Sequence, residues 1–153
     1  MSDVRVVAKN KKATFNYNIL DKIIAGVVLK GYEVKSAVSG NISLKESFVR
    51  VAKGEVWLIN AHISRWKYAN ISDYNPTVQR KLLLNKREIK KLQVAQDVKK
   101  LSIVPLEVLV ARGKVKVKIG VGKSRKKYDK RAVKKQKEME RQVREDLANV
   151  KKF

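Results

Sequence analysis

From Lys114 to Gly120 the chain alternates lysine with a β-branched apolar residue through three full cycles. Side chains on an extended strand point alternately to opposite faces. Val115, Val117 and Ile119 therefore share one face, and Lys114, Lys116 and Lys118 share the other. The segment reads as a strand with one face in a core and one face of ammonium groups in water. From Gly120 to Arg131 the alternation gives way to Gly, Ser and a run of Lys and Arg. A cationic sheet face that leads into a cationic tail calls for a polyanionic partner, and nucleic acid is the first candidate.

The charge of the whole chain agrees. It holds 37 Lys and Arg against 14 Asp and Glu, a formal +23 over 153 residues. Self-repulsion at that charge lowers stability, and steering toward a polyanion is the usual compensation. A compositional bias toward lysine accounts for it less well, because such a bias would raise Glu too. The 44% hydrophobic content is that of a folded chain, and the length fits one domain with an appendage. With no Cys, disulfides and thiolate zinc sites are excluded, and His62, the single histidine, cannot make a metal cluster alone. No run of about eighteen apolar residues occurs, so the expectation is a soluble, cytoplasmic protein with no membrane partner.

Along the chain, residues 1–12 read as a frayed basic lead-in. Thr14 to Leu29 reads as one long bent strand, broken near Asp21 and Lys22 and relaxed at Ala25-Gly26. Glu33 to Val38 suits one or two helical turns before Gly40. Two alternating runs, from Ser47 and from Glu55, flank Lys53-Gly54 and make a hairpin. Ala61 to Trp66 continues as strand, and Lys67 to Asn75 is loop. Asn75-Pro76 opens a helix that carries Leu82, Leu83, Ile89 and Leu92 on one broad face. Pro105 makes the run from Ser102 to Val110 an edge strand or a bulged one, and Arg112-Gly113 turns it into the lysine strand. Strands at this spacing with two interposed helices point to a small closed or partly closed barrel.

The tail from Lys123 to Phe153 has 13 basic and 5 acidic residues, a net +8 in 31 positions and about twice the charge density of the body. Asp129 is placed to cap a helix there. Its apolar stripe, Val133, Met139, Val143, Leu147 and Val150, is sparse. A helix so little supported is marginal in water. The tail is therefore expected to be disordered when free and helical against an anion with an apolar strip. On this reading residues 1–122 form the barrel domain and residues 123–153 the tail.

Catalytic chemistry is not signalled. Gly122-Lys-Ser124 ends like a phosphate-binding loop, but Val117 stands where that motif needs its first glycine. The acids, Asp21, Glu33 and Glu55 among them, stand singly and read as solvated or balancing lysines, and nothing pairs with His62 as a nucleophile. No enzyme, metal or cofactor is expected. Tyr17, Tyr32, Trp57, Trp66, Tyr68 and Tyr74 are interleaved with basic residues, as on surfaces that stack bases and neutralise phosphates. Trp57, inside a strand, reads more readily as core.

Five segments carry a more specific pattern. They are Asn10-Lys-Lys; Ala25-Gly-Val-Val-Leu-Lys-Gly-Tyr-Glu-Val-Lys-Ser36; Gly54-Glu-Val-Trp-Leu58; Arg80-Lys-Leu-Leu-Leu-Asn85 with Arg87-Glu-Ile89; and Lys114 to Gly120 leading to Asp129-Lys-Arg131. In that order and spacing the chain resembles the SsrA-binding protein family, also called small protein B, over nearly its whole length. The resemblance implies a mainly β fold, an oligonucleotide-binding-type (OB-like) β-barrel with two or three helices and a long basic C-terminal tail. It also implies a function in trans-translation. The family binds the tRNA-like end of transfer-messenger RNA (tmRNA) and brings it to ribosomes stalled without a stop codon, together with elongation factor Tu and as a monomer. The tail enters the empty mRNA channel by the small-subunit decoding centre.

Carried over residue by residue, the resemblance makes Leu83, Asn85 and Lys116 the leading tmRNA contacts, with Tyr17, Lys35 and Ser36 behind them; the alternation of the strand adds Lys114 and Lys118 as phosphate contacts beside Lys116. It assigns Asp129, Lys130, Arg131, Lys134, Lys135, Lys137, Met139 and Arg141 to the ribosome. Ile24 stands where many members have Glu, and Ser124 where members often have Gly. Charge and barrel alone would equally fit a basic structural protein of the ribosome or a general RNA-binding OB-fold protein.

Overall fold

Two basic-residue–glycine pairs set the register of the sheet. Lys53 and Gly54 (φ 53° and 74°), and Arg112 and Gly113 (φ 51° and 76°), all lie in the left-handed region. Two successive residues of that hand make the tight hairpin turn whose twist matches paired strands. The first joins β4 (Phe48–Ala52) to β5 (Glu55–Ile59), and the second joins β8 (Ser102–Ala111) to β9 (Lys114–Ser124). The computed structural model describes residues 4–69, 72–125 and 127–150, and for 127–130, 132, 133 and 148–150 it describes the backbone alone.

The remaining strands are β1 (Val4–Lys9), β2 (Tyr17–Val27), β3 (Ile42–Ser43), β6 (His62–Ile63) and β7 (Arg80–Leu83). The helices are α1 (Lys11–Asn16), α2 (Gly31–Val38), α3 (Lys86–Asp97) and α4 (Lys127–Val150). Seven strands form one antiparallel sheet in the order β1-β8-β4-β5-β7-β2-β9, and β9 pairs back onto β8. The order thus closes on itself as an OB-like ring, with β1 added outside on β8. The seam between β4 and β8 is a single pair, Val49 opposite Ile103. Beside it the Gln96 amide accepts from the Val51 N–H at 2.9 Å and donates to the Val51 carbonyl at 3.0 Å. A side chain from α3 therefore satisfies backbone groups that a neighbouring strand would otherwise bind. Inside the ring, Ala25, Val49, Val51, Val56, Leu58, Leu82, Val108, Val117 and Ile119 form one core, with Leu92 and Ala95 of α3 and Ala37 of α2 packed into it.

Several expectations need correction. Val4–Lys9 is a strand on β8, not a frayed lead-in, and residues 1–3 lie outside the described residues. Thr14 belongs to α1, so the long strand starts at Tyr17; its bulge falls between Ile19 and Asp21, at the expected break, while Gly26 stays in register. Ala61 to Trp66 keeps only the two strand residues of β6, in a separate small sheet with β3. Within the expected 67–75 loop, Asn70 and Ile71 lie outside the described residues. Asn75 caps a turn rather than a helix, accepting from the Thr77 N–H at 3.0 Å. Arg80–Leu83 is strand β7, between β5 and β2, and the helix begins only after Asn85. β8 has partners on both sides and is no edge, although Pro105 does mark its bulge.

The lysine strand behaves as its alternation requires. Val115, Val117 and Ile119 are buried, while Lys114 and Lys116 are exposed. It runs on to Ser124, beyond the expected boundary at residue 122, because Ser124 and Lys123 pair with Tyr17 and Asn18 of β2. Gly122 permits this. A Cβ there would lie 2.4 Å from the Asn18 carbonyl oxygen, which is backbone and cannot swing away. Gly122→Ala is expected to lower the free energy of unfolding by about 1–3 kcal/mol. Gly31→Ala, where a Cβ meets nothing within 4 Å, should stay within about 0.5 kcal/mol. Denaturant midpoints at unchanged m-value check both.

Candidate nucleic-acid interface

Antiparallel partners point to the same side of a sheet, so register maps the outer surface. Trp57 stands opposite Lys81, Gly26 opposite Leu83 on one side and Lys116 on the other, and Ile24 opposite Lys118. These side chains share the face away from the core. Leu83, Ile24 and Val28 are each more than half exposed. Gly26 adds no side chain, and Leu83 packs over it: a Cβ there would lie 3.4 Å from the Leu83 Cβ and 3.7 Å from its Cδ1. The result is an exposed apolar floor with lysines along its sides, on rigid strands.

A patch of this kind marks an interaction surface. Its chemistry suits nucleic acid: apolar groups meet base and ribose faces, and lysines meet phosphates. Lys118 is partly engaged, 3.6 Å from Glu107. The pair is half-buried but long, and the Lys118 side chain is still 31% exposed, so the ammonium can reach a phosphate as well. Among the described residues no group of three or more His, Cys, Asp or Glu could hold a metal ion, and no helix is long and apolar enough to cross a membrane.

The expected site residues do not all assemble. Leu83, Lys116, Lys118 and the exposed Lys114 lie on or beside the floor. Asn85 follows β7 and is exposed, but its side-chain oxygen accepts from the Glu88 N–H at 2.8 Å while the Glu88 carboxylate accepts from the Asn85 N–H at 3.2 Å. It is the cap of α3, a capping box that holds the helix whatever RNA does. Ser36 must be removed from the interface. It is 0% exposed, and its hydroxyl donates to the Ser64 carbonyl at 2.6 Å. Lys35 is exposed on α2, outside the sheet. Tyr17 opens β2 at the end opposite Gly26, roughly 30 Å along the strand. There it packs with Ile19 over Ala13, Val104 and Leu106 and lines a separate cleft with Phe48 and Arg50.

Trp57 is not core. Its neighbours Val56 and Leu58 take the buried positions, and the indole is left half-buried on the outer side, beside Lys81. His62 is exposed on β6.

Glu33, among the acids expected to be solvated or to balance lysines, is instead 5% exposed and pairs with Arg80, itself 3% exposed. Arg80 Nε donates to the Glu33 carboxylate at 2.9 Å, with Nη2 2.8 Å from the same oxygen; Nη1 donates to the Ala61 carbonyl and Nη2 to that of Pro76. The other Glu33 oxygen accepts from the Lys30 N–H at the start of α2. The two most distinctive sequence segments thus meet in one buried ion pair, which ties α2 to β7 and to the chain before it. Alongside, the Tyr74 phenol donates to the Ile63 carbonyl at 2.7 Å, and burial pushes its pKa above the usual tyrosine value even though Arg80 pulls it down.

Of the tail candidates, Arg131, Lys134, Lys135, Lys137, Met139 and Arg141 are exposed along α4. The side chains of Asp129 and Lys130, and of Val133 and Val150 in the apolar stripe, lie outside the described residues. The helix begins at Lys127, so Asp129 falls within its first turn rather than at its cap.

A closed antiparallel ring of OB type, with an apolar floor and lysine flanks on its outer face, defines a nucleic-acid-binding module. A family model described as SmpB protein matches residues 7–149. The SsrA-binding protein of Ligilactobacillus salivarius (strain UCC118) is 44% identical over 143 residues, covering 94% of this chain and 92% of that protein. That of Sulfurihydrogenibium sp. (strain YO3AOP1) is 48% identical over 139 residues, covering 91% of each. A solved structure described as "tmRNA-SmpB: a journey to the center of the bacterial ribosome" superposes with a TM-score of 0.65 at 36% identity, covering 78% of this chain and 84% of that one. The chain belongs to the SmpB family.

Proposed function

We propose that this chain binds the tRNA-like part of transfer-messenger RNA on the outer face of β7, β2 and β9 and delivers it to ribosomes stalled on mRNA without a stop codon. It acts there as a binding and positioning protein, not as a catalyst. The observation that carries this is the floor of Leu83, Gly26, Ile24 and Val28 beside Lys116 and Lys118, on a chain of the family whose members are named for binding SsrA. The ribosome in the description of the related solved structure supports the second half of the reading. Elongation factor Tu and an aminoacylated tmRNA complete the complex, which holds one copy of this chain.

The tail has a separate task. It carries +8 in 31 residues, and α4 leaves Met139, Val143 and Leu147 more than half exposed in one stripe. Such a helix gains little from its own contacts and gains more against a surface of phosphates with apolar strips. At 24 residues it reaches about 36 Å, enough to run along an empty mRNA channel. The helix α4 is the form in which the tail enters the ribosome, and away from that surface few contacts beyond its own backbone hold it.

Reversing Lys130 and Arg131 to Glu is expected to abolish peptide tagging in a reconstituted stalled translation reaction and to leave tmRNA affinity within a few fold. A large loss of affinity would place the tail in the tmRNA site and overturn this division.

A further inference from the structure

The Leu83–Gly26 floor does not end at Leu83. Two residues back along β7, roughly 7 Å away, Lys81 points to the same side, with Trp57 opposite it. Here the surface opens into a cleft of about 460 Å³. Trp57 forms one wall, and Tyr32 and Tyr74 form another, packed edge to face with ring centres 5.6 Å apart and planes at 82°. Tyr74 is fixed by its bond to the Ile63 carbonyl, so this wall is set before anything binds. Val28 borders both the cleft and the floor, and its N–H donates to the Lys81 carbonyl at 2.9 Å.

We propose that this cleft takes a single unstacked nucleobase of the same RNA that lies on the adjoining face, stacked on Trp57 with its phosphate at Lys81. The inference rests on the RNA-binding reading of that face and extends it by one site. The chemistry of the lining selects the occupant. Its walls are aromatic rings, which every base can stack on. Asp73 at its edge repels a phosphate but accepts from the exocyclic amino group of a base. Among the described residues the Lys81 ammonium pairs with Glu55, at 3.4 Å and with both side chains nearly half exposed, a pair weak enough to yield to a phosphate. Apolar floor, lysine and aromatic cleft follow one another on contiguous strands, as a single strand of RNA would need.

The chain has two tryptophans, so Trp66→Phe leaves Trp57 as the sole indole reporter. Titrating that variant with the tRNA-like domain of tmRNA should quench Trp57 emission with the same midpoint as binding. Trp57→Ala should weaken the complex about 5- to 150-fold, whereas Trp57→Phe, which keeps a stacking ring, should stay within a few fold. Lys116→Glu is measured in parallel. If it weakens binding while Trp57→Ala does not and the indole stays unquenched, the face stands and the cleft proposal fails. If neither change matters, the face itself is wrong. A denaturation midpoint for each variant shows that it is folded.

Discussion

Replacing Glu33 by Gln is expected to lower the free energy of unfolding by about 3–5 kcal/mol. The reason is asymmetric. With both partners present, Arg80 and Glu33 are buried and their hydrogen bonds are made by each other, by the Ala61 and Pro76 carbonyls and by the Lys30 N–H. With the carboxylate gone, a guanidinium that cannot lose its proton remains in the interior without a counter-charge. Arg80→Leu should cost a similar amount, because it strands the carboxylate and two carbonyls. The double variant, Glu33→Leu with Arg80→Leu, should then be markedly less destabilised than the sum of the singles, since the strongly coupled term disappears with both. Urea midpoints for the four proteins of this cycle measure it. Strict additivity would show that the pair does not act as a buried unit.

The second large effect concerns binding and leaves stability alone. Leu83 is 54% exposed and Lys116 is exposed, so changing either should move the unfolding free energy by no more than about 0.5 kcal/mol. Leu83→Glu places a charge on the apolar floor, and Lys116→Glu turns a phosphate contact into repulsion. Each is expected to weaken the complex with the tRNA-like domain by about 10- to 100-fold. For Lys116→Glu the dependence of log affinity on log salt should also become shallower by about one. A shallower slope with Lys116→Glu and an unchanged one with Leu83→Ala would separate the charged from the apolar contribution.

What could be read in the sequence follows from how local each cause is. The lysine strand and the Lys53-Gly54 and Arg112-Gly113 turns are set by neighbouring residues, so alternation and turn chemistry suffice to place them. Arg80-Lys-Leu-Leu-Leu is different. It looks helical because its buried polar residue, Arg80, is made tolerable by Glu33, 47 positions away. Without that partner in view, an arginine facing the core contradicts a strand. β2 hides its outer face for a related reason: Ile24, and Val28 just past the strand's end, are apolar yet exposed, so the polarity contrast that marks a two-faced strand is missing there. For the same reason Trp57 reads as core in the sequence, since a hydrophobic residue in a strand carries no label for its side. Family resemblance points to Leu83 and Lys116, which the fold leaves exposed on the outer side of the sheet. It also brought Ser36 to the interface, although Ser36 distinguishes its segment by bonding to Ser64 inside the fold.

The central claim is that the sheet face alone holds the tRNA-like RNA and that the tail is for the ribosome. It is tested most directly by ending the chain after Arg125, where β9 is complete and the Arg125 N–H still reaches the Asn16 carbonyl. The affinity of this shortened protein for the tRNA-like domain is measured against that of the full chain, at an ionic strength that screens exposed charges beyond about 10 Å. Affinity within a few fold of the full chain, together with complete loss of tagging, is the predicted result. A loss of a hundredfold or more in affinity would contradict it, because the tail would then be part of the site that the outer face of β7, β2 and β9 is held to form by itself.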